Sequence, residues 1–446
     1  MWAYESVFYQ IYPLGFCGAP FENDGVAEHR ILKVNDWILH IKSVGANAIY
    51  FSPVFESDTH GYNTRDYTKI DTRLGSNGDF AQVCENLHKE GIKVVLDGVF
   101  NHVGRGFWAF QDVLKNRENS PYVGWFAQIS FEGNSNYNDG LWYEGWEGNY
   151  DLVKLNLRNE EVIQHIFSAI KGWVDEFDID GLRLDVAYCL DHDLIRRLRQ
   201  FCDSLKPDFF LVGETLHGDY NQIMNDSMLH SVTNYECYKG LHSSFNSMNM
   251  FEINHSLLRQ FGPEQWTLYK GRHLLSFVDN HDVTRVASIL NNENHLPLIY
   301  AVAFGMPGIP CVYYGSEWGA KARKEDGDQA LRACFEKPEF NGLTEWIAKL
   351  AQVKKASKAL QYGDFKSVVL TNGQCIFSRE WEGEKVFAAV NAADQPFGTG
   401  FDAGSDRLKV LADYHDGKLQ DNADTVIEFN GGVELPAYSA IIWQTA

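Results

Sequence analysis

At 446 residues the chain is long enough to bury a large core and to hold one barrel-sized unit beside a smaller one. Its 39 Lys and Arg against 60 Asp and Glu leave a net charge of -21 with no visible basic cluster, which excludes nucleic acid as the partner. Hydrophobic residues at 45% and charged ones at 22% are ordinary globular values, and eight cysteines without a C-x-x-C pair argue for reduced thiols rather than disulfides or a metal site.

Strand and helix alternate from the start. Val7 to Tyr12 is rich in β-branched and aromatic residues and stops at Pro13, so it reads as a first strand. The N-terminal Met1 to Ser6 lacks the basic region and apolar run of a signal peptide, and a cytoplasmic protein is expected. Asn35 to Val44 has apolar residues at helical spacing (Trp37, Ile38, Ile41, Val44) and stops at Gly45, where a helix C-cap belongs. Asn47 to Phe51 is a second strand, Asp79 to Glu90 a helix closed by Gly91, and Ile92 to Leu96 a third strand. This spacing predicts a parallel sheet.

The rhythm breaks after His102. Residues 103 to 158 show no strong helix or strand, many Gly and Asn, and nine aromatics between Tyr122 and Tyr150, so an irregular insertion is expected. Its aromatics either supply a core to a segment with little else to bury or make a wall on which apolar sugar faces stack.

Alternation resumes with a helix over Glu161 to Val174, a fourth strand within Phe177 to Asp185, and a helix over Leu190 to Leu205. Phe209 to Val212, Ser231 to Tyr235, His273 to Val278 and Ile309 to Tyr313 are the fifth to eighth strands. Leu296 to Tyr314 imitates a membrane span, with 19 residues and no charge. Pro297, Gly305, Pro307, Gly308 and Pro310 break it into a buried helix, a turn and a buried strand, so no membrane association is expected. The predicted fold is an α/β class (β/α)8 barrel with an irregular insertion after strand 3 and a C-terminal antiparallel β-domain. The boundaries read as 1-102 and 159-358 for the barrel, 103-158 for the insertion, and 359-446 for a C-terminal β-sandwich of short alternating runs.

The chemistry gathers at strand ends. The third strand ends Asp97-Gly-Val-Phe-Asn101-His102, the fourth Arg183-Leu-Asp185, the fifth Gly213-Glu214 and the seventh Asp279-Asn280-His281-Asp282. Barrel chemistry is done at the C-terminal ends of strands, and one carboxylate there is an ordinary cap or ion pair. Several together with an arginine and two histidines would repel one another unless the site used them. Two carboxyl groups flanking an oxocarbenium-like transition state are what glycoside hydrolysis needs. Arg183 would keep Asp185 ionised, and Glu214, after an apolar strand, would start as the protonated acid. Asp282 would bind sugar hydroxyls, with His102 and His281 donating to others.

The segments DGVFNH, GLRLD, GE and FVDNHD resemble, in order and spacing, the signature regions of the α-amylase superfamily. Gly61 to Tyr67 and Gly308 to Glu317 extend the resemblance. It implies a retaining mechanism on α-glucan oligosaccharides, with Asp185 as nucleophile, Glu214 as acid/base and Asp282 as transition-state stabiliser. It also implies that Arg183, His102, His281 and Tyr62 line the subsite of the attacked glucose, Tyr62 stacking on the ring. Leu152-Val-Lys154-Leu-Asn156 and the His217 that follows Glu214 resemble the neopullulanase, cyclomaltodextrinase and maltogenic amylase group, which makes His217 a further substrate-binding candidate.

There are departures from that group. Val186-Ala187-Tyr188-Cys189 stands where the group has V-A-N-E, which bears on acceptor contacts and on hydrolysis against transfer. The group's extra N-terminal β-domain does not precede the first strand at Val7, so a monomer or weak homo-oligomer is expected. Phe21 to Gly25 is too poor in carboxylates for the calcium loop of many relatives; no cofactor is required on this reading, and calcium is left open with Asn101 as its one candidate ligand. The expected function is hydrolysis of α-1,4-glucosidic bonds in maltodextrins or cyclodextrins. The alternatives are a 4-α-glucanotransferase, an α-1,6-glucosidase, and a non-catalytic amylase-like binding protein, which should have lost the carboxylates that this chain keeps.

Overall fold

A computed structural model describes all residues, 1 to 446. Eight parallel strands form one sheet: β1 (Phe8–Ile11), β2 (Ala48–Phe51), β3 (Lys93–Gly98), β4 (Gly181–Leu184), β5 (Phe210–Gly213), β6 (Ser231–Val232), β7 (Leu275–Ser276) and β8 (Ile309–Tyr313). Their order is β6-β5-β4-β3-β2-β1-β8-β7. A parallel bridge from Thr233, the residue after β6, to Leu275 of β7 joins the two ends, and the sheet closes as a (β/α)8 barrel. Nearly every strand residue is buried, which is why these strands read as apolar runs rather than as alternating ones. The ambiguous stretch from Leu296 becomes the helix Leu296–Gly305 followed by β8, as its prolines and glycines predict.

The crossover helices start where the sequence supplies a cap. Ser76 accepts from the Asp79 amide while the Asp79 side chain accepts from the Ser76 amide, a reciprocal cap for helix Asn77–Lys89. Asn159 accepts from two amides of helix Glu160–Phe177, whose first turn carries Glu160 and Glu161, favourable at the positive end of the dipole. That helix ends on Asp178 in the left-handed region, and the chain turns into β4. Asp191 caps helix His192–Leu205 in the same way.

Regular structure also occurs where none was expected. After β2 comes an antiparallel hairpin, Phe55–Ser57 with Thr64–Ile70, whose tip carries Tyr62. Within 103-158, helix Trp108–Asn116 buries Ala109, Phe110 and Val113. Its nine residues are too few for a long periodic signal, and Gly104 and Gly106 just before it masked the start. Strand Asn149–Lys154 pairs with His102–Gly104 and with Gly145–Trp146. Three of the nine aromatics, Trp125, Phe126 and Tyr143, are core, and Phe110 packs edge-on against both Phe126 and Tyr143. Tyr122, Phe131, Trp142, Trp146 and Tyr150 are half-buried, and Tyr137 is 46% exposed.

The chain divides into two compact units, one of Met1–Gln10, Leu39–Ala48 and Thr233–Ala446, the other of Ile11–Ile38 and Ile49–Val232. The first includes the C-terminal antiparallel sheet, in which Gln374–Trp381, Glu384–Asn391, Ser439–Thr445 and Arg407–His415 are successive neighbours. Ile376, Phe387, Leu408 and Trp443 form its core. No helix in the structure is long and apolar enough to cross a membrane.

Candidate active site

β4 sets the geometry of the second unit. Leu182 and Leu184 are fully buried on one face of the strand, so Arg183 projects from the other and Asp185 follows it at the C-terminal end. Register puts Asp97 of β3 directly beside Arg183. Arg183 Nη1 lies 2.9 and 3.0 Å from the two Asp97 oxygens and 2.8 Å from Asp185 Oδ1, and Nη2 lies 3.0 Å from Glu214 Oε2. One guanidinium thus holds three carboxylates, all buried. Burial works against the charge on Arg183, but Asp97 and Glu214 outweigh it and favour the cation. Burial pushes the Asp97 carboxyl up to about 6 against the pull of Arg183. Asp97 also accepts from the hydroxyls of Tyr50 and Tyr62, at 3.0 and 3.2 Å.

Glu214 is positioned by backbone as well as by charge. A Cβ on Gly213 would sit 2.7 Å from the Ala187 Cβ, so only glycine lets the loop after Asp185 come this close. In that loop the Val186 amide donates to Glu214 Oε2 at 2.9 Å. Val186 itself sits at φ 39°, ψ 46°. A β-branched residue in the left-handed region is strained by about 1–3 kcal/mol, a cost the surroundings must impose.

His102 is 2% exposed, and burial pushes its pKa down to about 3, so the ring is neutral. Its Nδ1 is 3.1 Å from the Asn101 amide nitrogen, a donor, which leaves the proton on Nε2. That nitrogen is buried without a hydrogen-bond partner, 3.9 Å from Asp185 Oδ2. Half-buried Tyr62 joins the group through Asp97. The structure therefore gathers Tyr62, His102, Arg183, Asp185 and Glu214 around one guanidinium. His217 lies on an exposed loop with its ring 6.1 Å from that of Tyr188.

Asn101 Oδ1 is buried and has no partner, as a cation ligand would be, yet no group of three or more His, Cys, Asp and Glu side chains gathers anywhere to share a metal. The residues present do not make a calcium cage of carboxylates, and no step below passes through a metal.

In the first unit, Asn280, His281 and Asp282 follow β7. The Gln10 amide, at the end of β1, lies 2.8 Å from His281 Nδ1, so Nε2 carries the proton and faces Asp282 Oδ2 at 3.0 Å. Arg332 Nη2 donates to Asp282 Oδ1 at 2.8 Å, so both carboxylate oxygens are held. The Asp282 side chain is 34% exposed, more than that of Asp185 or Glu214. Behind it, burial pushes the Asp279 carboxyl up while it accepts from the Val286 amide and Ser316 hydroxyl.

Sequence reasoning missed roles for Asp97, Gln10, Arg332 and the Val186 amide. A signal existed for two: Asp97 opens the DGVFNH segment, and Gln10 is the lone polar residue of a buried strand. Arg332 lies 50 residues beyond Asp282 with no local pattern, and a backbone amide leaves no trace in side-chain types.

The second unit offers two carboxylates on one arginine and a neutral histidine donor beside one of them; the first unit offers a carboxylate oriented from both sides. A model of the alpha amylase catalytic domain matches residues 10–341. The chain is similar to a cyclomaltodextrinase of Thermoanaerobacter pseudethanolicus, 29% identical over 87% of this chain and 70% of the relative. It is 32% identical to neopullulanase 2 of Thermoactinomyces vulgaris over 82% of this chain and 65% of the relative, so it spans about two thirds of the length of these proteins. Among solved structures, the ligand-free cyclic α-maltosyl-(1→6)-maltose hydrolase of Arthrobacter globiformis superposes over 100% of both chains, with TM-score 0.82 and 26% identity.

Proposed function

The chain belongs to the α-amylase family of glycosidases, and from that premise we propose that it hydrolyses α-1,4-glucosidic bonds of maltodextrins and cyclodextrins with retention of configuration. The observation that carries the reading is the single guanidinium of Arg183 shared by Asp185 and Glu214. It keeps two carboxyl groups within reach of one sugar, as a double-displacement glycosidase requires.

With Oδ1 anchored on Arg183, Asp185 Oδ2 attacks the anomeric carbon. The C1–O bond breaks, and its electron pair goes to the glycosidic oxygen, which takes a proton from Glu214. Through Oε2, Arg183 and the Val186 amide hold Glu214 in place for this transfer. Water, deprotonated by the same carboxylate, then attacks C1 and releases Asp185. The Nε2 proton of His102 donates to a hydroxyl of the attacked glucose, and Tyr62 stacks on its ring. Asp282, oriented by His281 and Arg332, stabilises the oxocarbenium-like charge. His217 and Tyr188 contact the acceptor. A reducing, cytoplasmic setting fits the eight cysteines, none of which is in a disulfide.

The test is a product time course on maltotriose, maltoheptaose, β-cyclodextrin and pullulan. Glucose and maltose without elongation are expected. Products longer than maltotriose would make the protein a glucanotransferase, and no turnover would remove the reading. One observation favours a second linkage: one of the solved structures that superposes end to end is a hydrolase whose substrate contains an α-(1→6) bond. Faster cleavage of the α-1,6 than of the α-1,4 bonds of pullulan would establish that alternative.

A further inference from the structure

A cleft of about 900 Å³ in the second unit takes no part in the steps above. Its lining includes His60, whose Nδ1 accepts from the Tyr62 amide at 3.2 Å, and residues of the hairpin tip, the loop after β1 and the insertion. Six of its wall residues decide its chemistry: Phe21, Asp58, His60, Arg105, Tyr137 and Asp151.

Two large aromatics stand on its wall in water, Phe21 at 47% and Tyr137 at 46% exposed. The Arg105 guanidinium lies 3.8 Å from the centroid of the Tyr137 ring and covers one face, so the ring is held in place with its other face presented. Arg105 is itself fixed by Tyr143, at 2.6 Å, and by Asp139. The charges are consumed in pairs. Asp58 takes Arg65 Nε at 2.5 Å and the Gly106 amide at 3.1 Å, while Asp151 lies 3.9 Å from His60 Nε2 and keeps a 47% exposed side chain. The cations are thus already neutralised, and the carboxylate still open to solvent would repel an anionic ligand. What remains is a fixed ring face, an apolar edge and hydrogen-bond acceptors, a surface for a neutral polyhydroxyl ring.

We infer that this cleft binds glucosyl units of the substrate chain that lie beyond the ring stacked on Tyr62, with Tyr137 as the platform. The inference rests on the α-glucan reading of the catalytic site and extends it: preference for longer chains is built into the insertion.

Initial rates on maltose, maltotriose, maltopentaose and maltoheptaose are compared for the wild type, Y137A and Y137F. For Y137A the loss in kcat/KM is expected to grow with chain length, about tenfold greater for maltoheptaose than for maltose, and Y137F is expected to restore it because the ring face remains. An equal loss at all lengths, or none, would overturn the inference. Calorimetric titration of the same proteins with maltoheptaose separates this from the parent reading. If the wild type turns over no glucan, that reading fails, while weaker maltoheptaose binding by Y137A still supports the cleft and equal affinity overturns it.

Discussion

The two ends of β4 carry opposite electrostatic designs only three residues apart. At the N-terminal end, Asp180 is a single carboxylate surrounded by donors: Lys93 at 2.9 Å, His88 at 2.9 Å, Lys206 at 3.0 Å and the Val94 amide at 3.0 Å. Burial would raise its pKa, but these partners overcome burial and hold it far below the usual carboxylate range. At the C-terminal end a single arginine faces three carboxylates. The first cluster is satisfied and ties β3, β4 and the following helix together. The second has more negative charge than its cation can neutralise, and beside it the Nε2 of a neutral histidine has no hydrogen-bond partner. Charge that completes itself serves the fold; charge left incomplete is poised for a substrate.

Substitution should separate the two ends. The largest expected effect is for Asp185→Asn: kcat falls by roughly four orders of magnitude or more while the melting temperature stays within a few degrees, since the amide still accepts from Arg183. Near-normal turnover would remove Asp185 as nucleophile. Glu214→Gln should lose about three orders of magnitude on maltoheptaose and retain much more activity on an aryl glycoside, whose leaving group needs little protonation. Equal losses on both substrates would argue against the acid role.

Asp180→Asn should do the reverse, costing about 2–4 kcal/mol in urea unfolding because Lys93 and Lys206 lose their shared anion and His88 its partner, with kcat of the folded fraction nearly unchanged. The Asp180 contribution has a sign that can be checked. Its folded pKa is depressed, so the stabilisation is complete above the unfolded value near 4 and is lost as pH falls below it.

A smaller effect belongs to buried histidines. Burial pushes His102 and His273 to about 3 and His230 to about 4, so these rings stay neutral when folded and take up protons only on unfolding. Stability is therefore flat above pH 6.5 and falls below it, each ring costing up to about 1.4 kcal/mol per pH unit until its folded pKa is reached. Replacing His230 with glutamine should flatten the acid limb of stability between pH 6.5 and 4. An unchanged limb would mean that this ring is protonated in the folded state.

How legible each part was follows from its range of interaction. Seven of the barrel strands were visible as apolar runs because parallel strands bury both faces, whereas the sixth, two residues at Ser231–Val232 in a polar stretch, was only weakly marked; Asp185, Glu214 and Asp282 were visible because each follows an apolar run. Helix Trp108–Asn116 was not, being short and preceded by glycines. Asp97 stood in plain view, but its bond to Arg183 is a matter of sheet register between residues 86 apart. Arg332 and the strained Val186 amide depend on tertiary placement and a φ angle, which residue types do not report.

The central claim is that Asp185 carries the sugar between two displacements. It is tested most directly by incubating the protein with 5-fluoro-α-glucosyl fluoride, which slows both steps through its electron-withdrawing fluorine, and mapping the adduct by mass spectrometry. One glycosyl group on the peptide that contains Asp185, absent from the Asp185→Asn variant, is the predicted result. An adduct on another carboxylate would contradict the account, as would hydrolysis with inverted anomeric configuration and no adduct.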